Sequence, residues 1–519
     1  MGSKILTAVA LRDTQPFETP FVWGVPNMKF IRTTFAVTSV WVLLAGFVGA
    51  QGVVREAPTA QPWLSNPGYV AAGQESAQPS PSDIVRPRPP VASPPSGEAP
   101  AVCTSCGNSS GCSCRRSCLD SFLCPDCCKV ADLGDPFKVA DGCFFKEHNI
   151  QVGGWLAQSF TWNPDSPANK YNGPVTWTDR SNEYQLNELY FFLGRAADTK
   201  GCGWDYGYRV DAVYGTNYRW DTAVGLESFW NGYSEYGFAL PQLYAEVAVN
   251  DLTIRAGHFI SPVGYYTVGT ANNFFPFIPY TYQYGEPFTH TGMTFSYKFS
   301  DNFTWANGFV RGWDNFNPNN AVPHGNPNLS WLSNATLTRE NGDTLAWVGL
   351  LGQDYNAGSG DRFSNRYFQT LVYNKKFSDD VTGVLQSDFG AQQNGAVGDK
   401  PAYWYGANSY LYWNQTCRTQ WGTNLEWFRD EEGFRVGQVL PSPASPAARG
   451  WNAPNGAGFA GNFWSFAFGP KHFFTPNIYG RAALRVDWYD GAKPGGLSPY
   501  NAGTKDSQEL VVFDVVATF

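Results

Sequence analysis

From residue 148 onward the chain alternates between long and short connections, and this limits the fold more than any single motif. Sixteen segments of alternating polarity run 149–162, 183–196, 204–215, 237–249, 252–260, 290–299, 302–313, 328–339, 344–355, 365–377, 380–391, 403–414, 417–428, 462–474, 477–489 and 508–519. Period two marks strands with two unlike faces. The connections 163–182, 216–236, 261–289, 314–327, 429–461 and 490–507 are long. Between them lie tight ones: Asn250-Asp251, Ser300-Asp301, Glu340-Asn341-Gly342-Asp343, Ser378-Asp379, Asn414-Gln415-Thr416 and Thr475-Pro476-Asn477. Asn, Asp, Gly and Ser are the residues that tight hairpins require. One rim of tight turns and one of long loops predicts an all-β fold over 148–519, a transmembrane antiparallel β-barrel of about sixteen strands. A soluble sandwich would scatter loop lengths over both ends.

The final segment, LVVFDVVATF, shows why closure is expected. Val511, Phe513, Val515, Ala517 and Phe519 form one apolar stripe, while Asp514 and Thr518 lie on the other. In a closed barrel this strand pairs with the first, and its apolar stripe faces outer-membrane lipid. The terminal Phe519 is similar to the C-terminal signal of bacterial outer-membrane proteins, which the barrel assembly machinery reads. Composition agrees: the chain is 16% aromatic with 20 Trp, 54 Gly and only 15% charged residues. No stretch beyond the N-terminal one is long and apolar enough for a spanning helix. The net charge of −8 gives no reason to expect nucleic acid.

The N-terminal third is different in texture. Residues 28–50 read as a signal peptide: Lys29 and Arg32, an apolar run from Phe35 to Leu44, then Val48-Gly49-Ala50. A membrane-anchoring helix is the alternative, and residues 1–27 carry no secretion logic. Residues 51–100 hold eleven prolines and read as an extended, disordered linker. Residues 101–147 form a small Cys-rich segment, expected in the periplasm. It holds nine of the eleven cysteines: Cys103, Cys106, Cys112, Cys114, Cys118, Cys124, Cys127, Cys128 and Cys143. Two C-x-x-C pairs suit a zinc ribbon, but an exported segment with no histidine among its cysteines favours disulfides. A Cys143–Cys202 bridge would staple this segment to the barrel, and Cys417 either pairs with the cluster or stays free.

Two stretches carry a family resemblance. They are GGWLAQSFTWNPDSPANKYNGPVTWTDRSNEYQLNELYFFL at 153–193 and RAGHFISPVGY at 255–265. The region 148–519 resembles the putative beta-barrel porin-2 family, also called OmpL-like. The resemblance implies an outer-membrane barrel that passes small hydrophilic solutes or ions by passive diffusion. The strand number is also similar to that of general porins, which implies a homotrimer and a third long loop folded into the lumen. Here that loop is 261–289, with Tyr265, Tyr266, Phe274, Phe275, Phe277, Tyr280 and Tyr282 and a single charge, Glu286. A loop this apolar is a poor fit to bulk water, so it is expected inside, or else packed at the rim or against another subunit.

The stripe opposite the apolar one lines the expected pore. It is read to hold Arg209, Asp211, Glu246, Arg255, Asn307, Arg311, Arg481, Arg485 and Asp487, and also Gln386, Asp388, Asn424 and Glu426. An arginine on the lipid face would cost about 2–4 kcal/mol at mid-membrane. The arginines are candidates for a selective cluster; cross-strand pairing that stiffens the wall is the plainer reading of each. No cofactor or metal is implied, and no hydrolase or nucleotide-binding motif occurs. The alternatives are an envelope anchor acting through the Cys-rich segment and a barrel lipase using His258 on the outward stripe.

Overall fold

The computed structural model describes residues 133 and 135–519, apart from 224, 226–229, 232–233, 317–328, 357–361, 397 and 438–457. The expected signal peptide, the linker and Cys103 to Cys128 lie outside the described residues. Sixteen strands close into one antiparallel barrel, each paired with its sequence neighbours and β1 with β16. The strands are β1 Gln151–Trp162, β2 Tyr184–Arg195, β3 Trp204–Gly215, β4 Gly237–Val249, β5 Leu252–Ile260, β6 Thr289–Ser300, β7 Phe303–Val310 and β8 Ser330–Thr338. They continue as β9 Thr344–Asn356, β10 Arg362–Lys376, β11 Val381–Ala396, β12 Lys400–Asn414, β13 Thr419–Asp430, β14 Gly461–Phe473, β15 Ile478–Gly491 and β16 Ser507–Thr518.

The tight turns work as their residues suggest. Asn250 takes the left-handed conformation (φ 51°) between β4 and β5, which asparagine tolerates. β7 is shorter than expected, because Gly312 (φ 67°) and Asp314 (φ 52°) turn the chain just past Val310. β11 and β12 are longer than expected, so only residues 397–399 join them on the long-loop rim.

Alternation along each strand produces the two faces. On β16, Leu510, Val512, Asp514, Val516 and Thr518 are buried, while Phe513 and Val515 are exposed. Outward aromatics gather at both rims. Trp464 stacks on Trp488 with ring centroids 6.0 Å apart, and Trp204, Phe299, Phe377 and Phe474 stand exposed near the tight turns. Such girdles suit rings with one apolar and one wet side.

The seam is completed by the last residue. Gly154 and Phe519 exchange two backbone hydrogen bonds of 3.0 Å, continuing the register Trp155 to Thr518. A Cβ on Gly154 would lie 2.1 Å from the Tyr190 carbonyl oxygen and 2.7 Å from the Phe519 ring. Glycine is therefore required there by close approach.

The expected Cys143–Cys202 bridge is not formed; both thiols are exposed and unbridged. The two cysteines sit on differently tethered pieces. Cys143 opens a short helix, α1 (Cys143–Glu147), and Arg195 Nε of β2 donates to the His148 carbonyl just after it at 3.1 Å. Cys202 sits in the β2–β3 turn, which leans on the next hairpin through the 2.9 Å bond from Gly203 N to Asn250 Oδ1.

Two outcomes follow. Gly154→Val should destabilise the barrel by about 1–3 kcal/mol, seen as loss of the compact, heat-modifiable form on electrophoresis. At the β8–β9 turn, burial pushes the Asp343 carboxyl up. The Lys376 backbone N–H, the Asn341 amide and the Lys375 ammonium outweigh this and hold it below the ordinary aspartate range. A lowered folded-state value means its stabilisation is full above about pH 4 and is lost as pH falls through that value. Asp343→Asn should flatten this acid-side loss in urea titrations of the folded barrel.

Candidate functional site

The lumen is dominated by the loop that leaves β5 and returns at β6. Residues 261–288 cross the barrel to strands that lie about half-way round the closed sheet. The loop carries a 3-10 turn at Thr270–Asn272 and a π-helical turn at Thr281–Gly285. Tyr266, Phe275, Phe277, Tyr280, Tyr282 and Glu286 are all buried, and Tyr265 and Phe274 are half-buried. The expected inward path is therefore the observed one.

Charged wall residues hold the loop by its backbone. Arg481 on β15 donates to the carbonyls of Thr270 at 2.9 Å and Asn273 at 2.8 Å, and is paired with Asp514 through both Nε and Nη2. Glu188 on β2 accepts the Thr270 N–H at 2.9 Å, together with Trp155 Nε1 at 2.6 Å and Asn217 Nδ2 at 2.7 Å. Further along, Glu426 on β13 accepts the N–H groups of Tyr280 at 3.0 Å and Thr281 at 2.7 Å. Arg485 donates to the Ile278 carbonyl at 2.9 Å and to Asp487 at 2.9 Å. Trp404 Nε1 donates to the Gly285 carbonyl at 3.0 Å. Gln386 on β11 accepts the Tyr265 N–H at 3.0 Å and donates to Glu286 at 2.6 Å. An irregular loop away from water leaves unpaired amides and carbonyls; these side chains stand in for water.

Other loops lock the same arrangement. Tyr284 donates to the Pro174 carbonyl at 2.7 Å, and the Tyr280 and Tyr500 hydroxyls meet at 3.0 Å. At the loop's root the Ser261 hydroxyl lies 3.0 Å from His290 Nε2, and Asp314 accepts the N–H groups of Phe288 and Thr289, each at 2.9 Å.

The loop leaves one side of the lumen uncovered. Inward residues on β9 to β16 and β1 to β3 are almost all buried, except near the rims. On β4 to β8 the inward Tyr244, Thr253, Arg255, Thr294 and Asn334 keep accessible surface. Arg255 lies 3.1 Å from Glu246 and over the Tyr244 ring at 4.4 Å.

The sequence-derived site residues thus separate into groups. Arg481, Arg485 and Asp487 serve the loop. Arg209 is paired with Asp211, which also accepts from Tyr190 at 2.6 Å and Gln242 at 2.9 Å. Glu246 and Arg255 sit at the uncovered side. The placement of Asn307 and Arg311 on the inner stripe is corrected: Asn307 is in phase with the exposed Trp305 and Phe309, and Arg311 follows Val310 in that same phase. The inner stripe there is Ala306, Gly308 and Val310, so polarity alone pointed the wrong way. Outward His258 is covered; its ring meets Phe316 at 4.7 Å and its Nδ1 lies 2.8 Å from the Thr291 hydroxyl.

Glu188 escaped notice for a physical reason. A bulge in the β1–β2 pairing turns Asn187 and Glu188 both inward, which breaks the period. Lys471, inward on β14, was also passed over; a lysine in phase with Ser465 and Ala467 was the available signal.

Residues 149–519 match the family described as Putative beta-barrel porin-2, OmpL-like. The chain belongs to this family. It is an outer-membrane porin, a channel for passive diffusion. Among solved structures it is similar to the outer membrane channel DcaP of Acinetobacter baumannii, at 8% identity over 71% of this chain and 97% of that one, with a TM-score of 0.47. It is similar to OprB of Pseudomonas putida, at 10% identity over 72% and 96%, with a TM-score of 0.47. An anion-selective porin from Comamonas acidovorans matches at 10% identity over 71% and 99%, with a TM-score of 0.46. No curated protein matches the chain.

Arg481→Met should destabilise the porin by about 3–5 kcal/mol, because it strands the buried Asp514 carboxylate. Adding Asp514→Leu should recover part of that loss, as read from denaturant midpoints of the refolded barrel.

Proposed function

We propose that this porin passes small hydrophilic solutes and ions along the β4–β8 side of its lumen, with loop 261–288 as a fixed opposing wall. The observation that carries this reading is the distribution of accessible inward surface, which away from the rims gathers on β4 to β8 at Tyr244, Thr253, Arg255, Gly257, Gly292, Thr294 and Asn334. Arg255 is the cation that stands on this strip. Its partner Glu246 is more deeply buried, so the strip presents net positive charge and favours anions. Because the loop fills so much of the cross-section, the conductance is small for a sixteen-stranded barrel.

The tight-turn rim faces the periplasm in this reading, since outer-membrane barrels carry short turns there and long loops outside. In the same reading the segment before β1 lies in the periplasm. Phe519, seated in the seam, acts as the signal for the barrel assembly machinery.

Planar-bilayer recording in a KCl gradient tests this. The refolded porin should give small discrete steps with a reversal potential of anion-preferring sign, and Arg255→Glu should move that potential toward cations. Large steps, or an Arg255→Glu channel with unchanged selectivity, would place the path elsewhere. Folded barrels with no steps would favour an anchoring role, for which the paired hydrogen bonds between Phe137 and the Asn477 side chain at 2.7 and 3.0 Å supply an attachment of the N-terminal segment.

A further inference from the structure

Lys471 is an inward lysine with no hydrogen bond or ion pair of its own among the described residues. It is 5% exposed and sits near the tight-turn end of β14. Its ammonium lies 4.3 Å from the centroid of the Tyr479 ring and 5.4 Å from that of Phe473. Among the described residues no carboxylate or hydrogen-bond acceptor meets it. The nearby Asp514 is committed to Arg481 through two nitrogens, so its carboxylate makes no hydrogen bond to the lysine. Two ring faces attract the ammonium, but less than its withdrawal from water costs, and its three N–H donors stay unused.

A second group points to the same place. Gln420 on β13 is the cross-strand partner of Lys471, and both face the lumen. Its side-chain amide likewise has no partner among the described residues. On the other flank Arg481 faces Lys471 across β15. The wall therefore sets an ammonium and an amide side by side, floored by two aromatic rings, with the paired Arg481 guanidinium behind.

We propose that Lys471 and Gln420 form a binding site for a small oxyanion at the tight-turn end of the lumen. The ammonium supplies charge and short hydrogen bonds, the Gln420 amide a further donor, and the Phe473 and Tyr479 rings a dry floor that strengthens both. Phosphate and small carboxylates share the required chemistry of adjacent anionic oxygens. The site is separate from the β4–β8 strip.

The test uses the full chain refolded in detergent, with inorganic phosphate as the probe, so binding is read without any channel activity. Calorimetric titration should show one phosphate site per chain. Lys471→Met should weaken it at least about tenfold, the loss of one charge-assisted contact, while Lys471→Arg and Gln420→Glu should respectively preserve and abolish it. Acetate competing for the same site would extend it to carboxylates. Equal phosphate binding by wild type and Lys471→Met, or no binding by a folded wild-type barrel at millimolar phosphate, would overturn the site. A failed bilayer recording would bear on the channel path and leave this result standing.

Discussion

Backbone amides in hydrocarbon have no water to bind, and this one constraint decides the outer architecture. A sheet that ended at β1 or β16 would expose a row of unpaired N–H and C=O groups to lipid, each costing several kcal/mol. Closure removes the edge, and the register of the seam is set to the last residue by Gly154 and Phe519. The requirement also explains why a glycine stands at 154. The backbone of β1 must come close enough to Tyr190 on one flank and Phe519 on the other that no side chain fits between them. The same rule spreads the outer surface into an apolar band with aromatic rims, because every second residue of every strand meets the same solvent.

Inside, the constraint returns in another form. A loop of 28 residues brought into the lumen between Ser261 and Phe288 carries its own unpaired backbone with it. The wall answers with charge: Arg481 and Arg485 toward carbonyls, Glu188 and Glu426 toward amides. Each charge is itself neutralised or saturated, as Arg481 by Asp514 and Glu426 by the hydroxyls of Thr281 and Ser465 at 2.8 and 3.0 Å. A buried ion pair is weak evidence of net stability when set against an apolar replacement. Its value here is positional. The pairs fix which carbonyl and which amide of the loop meet which strand, so the loop has one seat.

Much of the barrel was legible because strand, turn and face are local properties. The period-two pattern located all sixteen strands, and Asn250 marked where the chain had to turn, whereas the turn at Gly312 was read as a continuing strand. The departures have local causes too. Polarity misplaced Asn307, because the inner stripe of β7 is built of Ala306, Gly308 and Val310 and the outer one of Trp305 and Phe309. A bulge hid Glu188 by placing two successive residues inward. The partners of the inward charges were not legible at all. Whether Arg481 faces water or the carbonyls of a distant loop depends on where residues 270 to 274 arrive, and that is settled by packing across the barrel. The inward fate of the loop could be read from its apolar composition, but its seat on β11 to β15 could not.

That seat has a consequence for how the channel works. The loop is fastened at its root by Ser261, His290 and Asp314, and at its far side by four charged wall residues, with Tyr284 and Tyr280 tied to two further loops. Moving it would break several buried charge-assisted bonds at once, each leaving a group without a partner. A gate needs an element with two arrangements of similar free energy, and a loop held at this many points has one. The cross-section is therefore set by construction. On the proposed path, discrimination among solutes falls to the strip that the loop leaves bare, where Arg255 balances a more deeply buried Glu246 and Tyr244 offers its ring beneath the guanidinium. In such a channel, a change at the strip alters which ions pass, whereas a change at the loop anchors alters first whether the barrel keeps its shape.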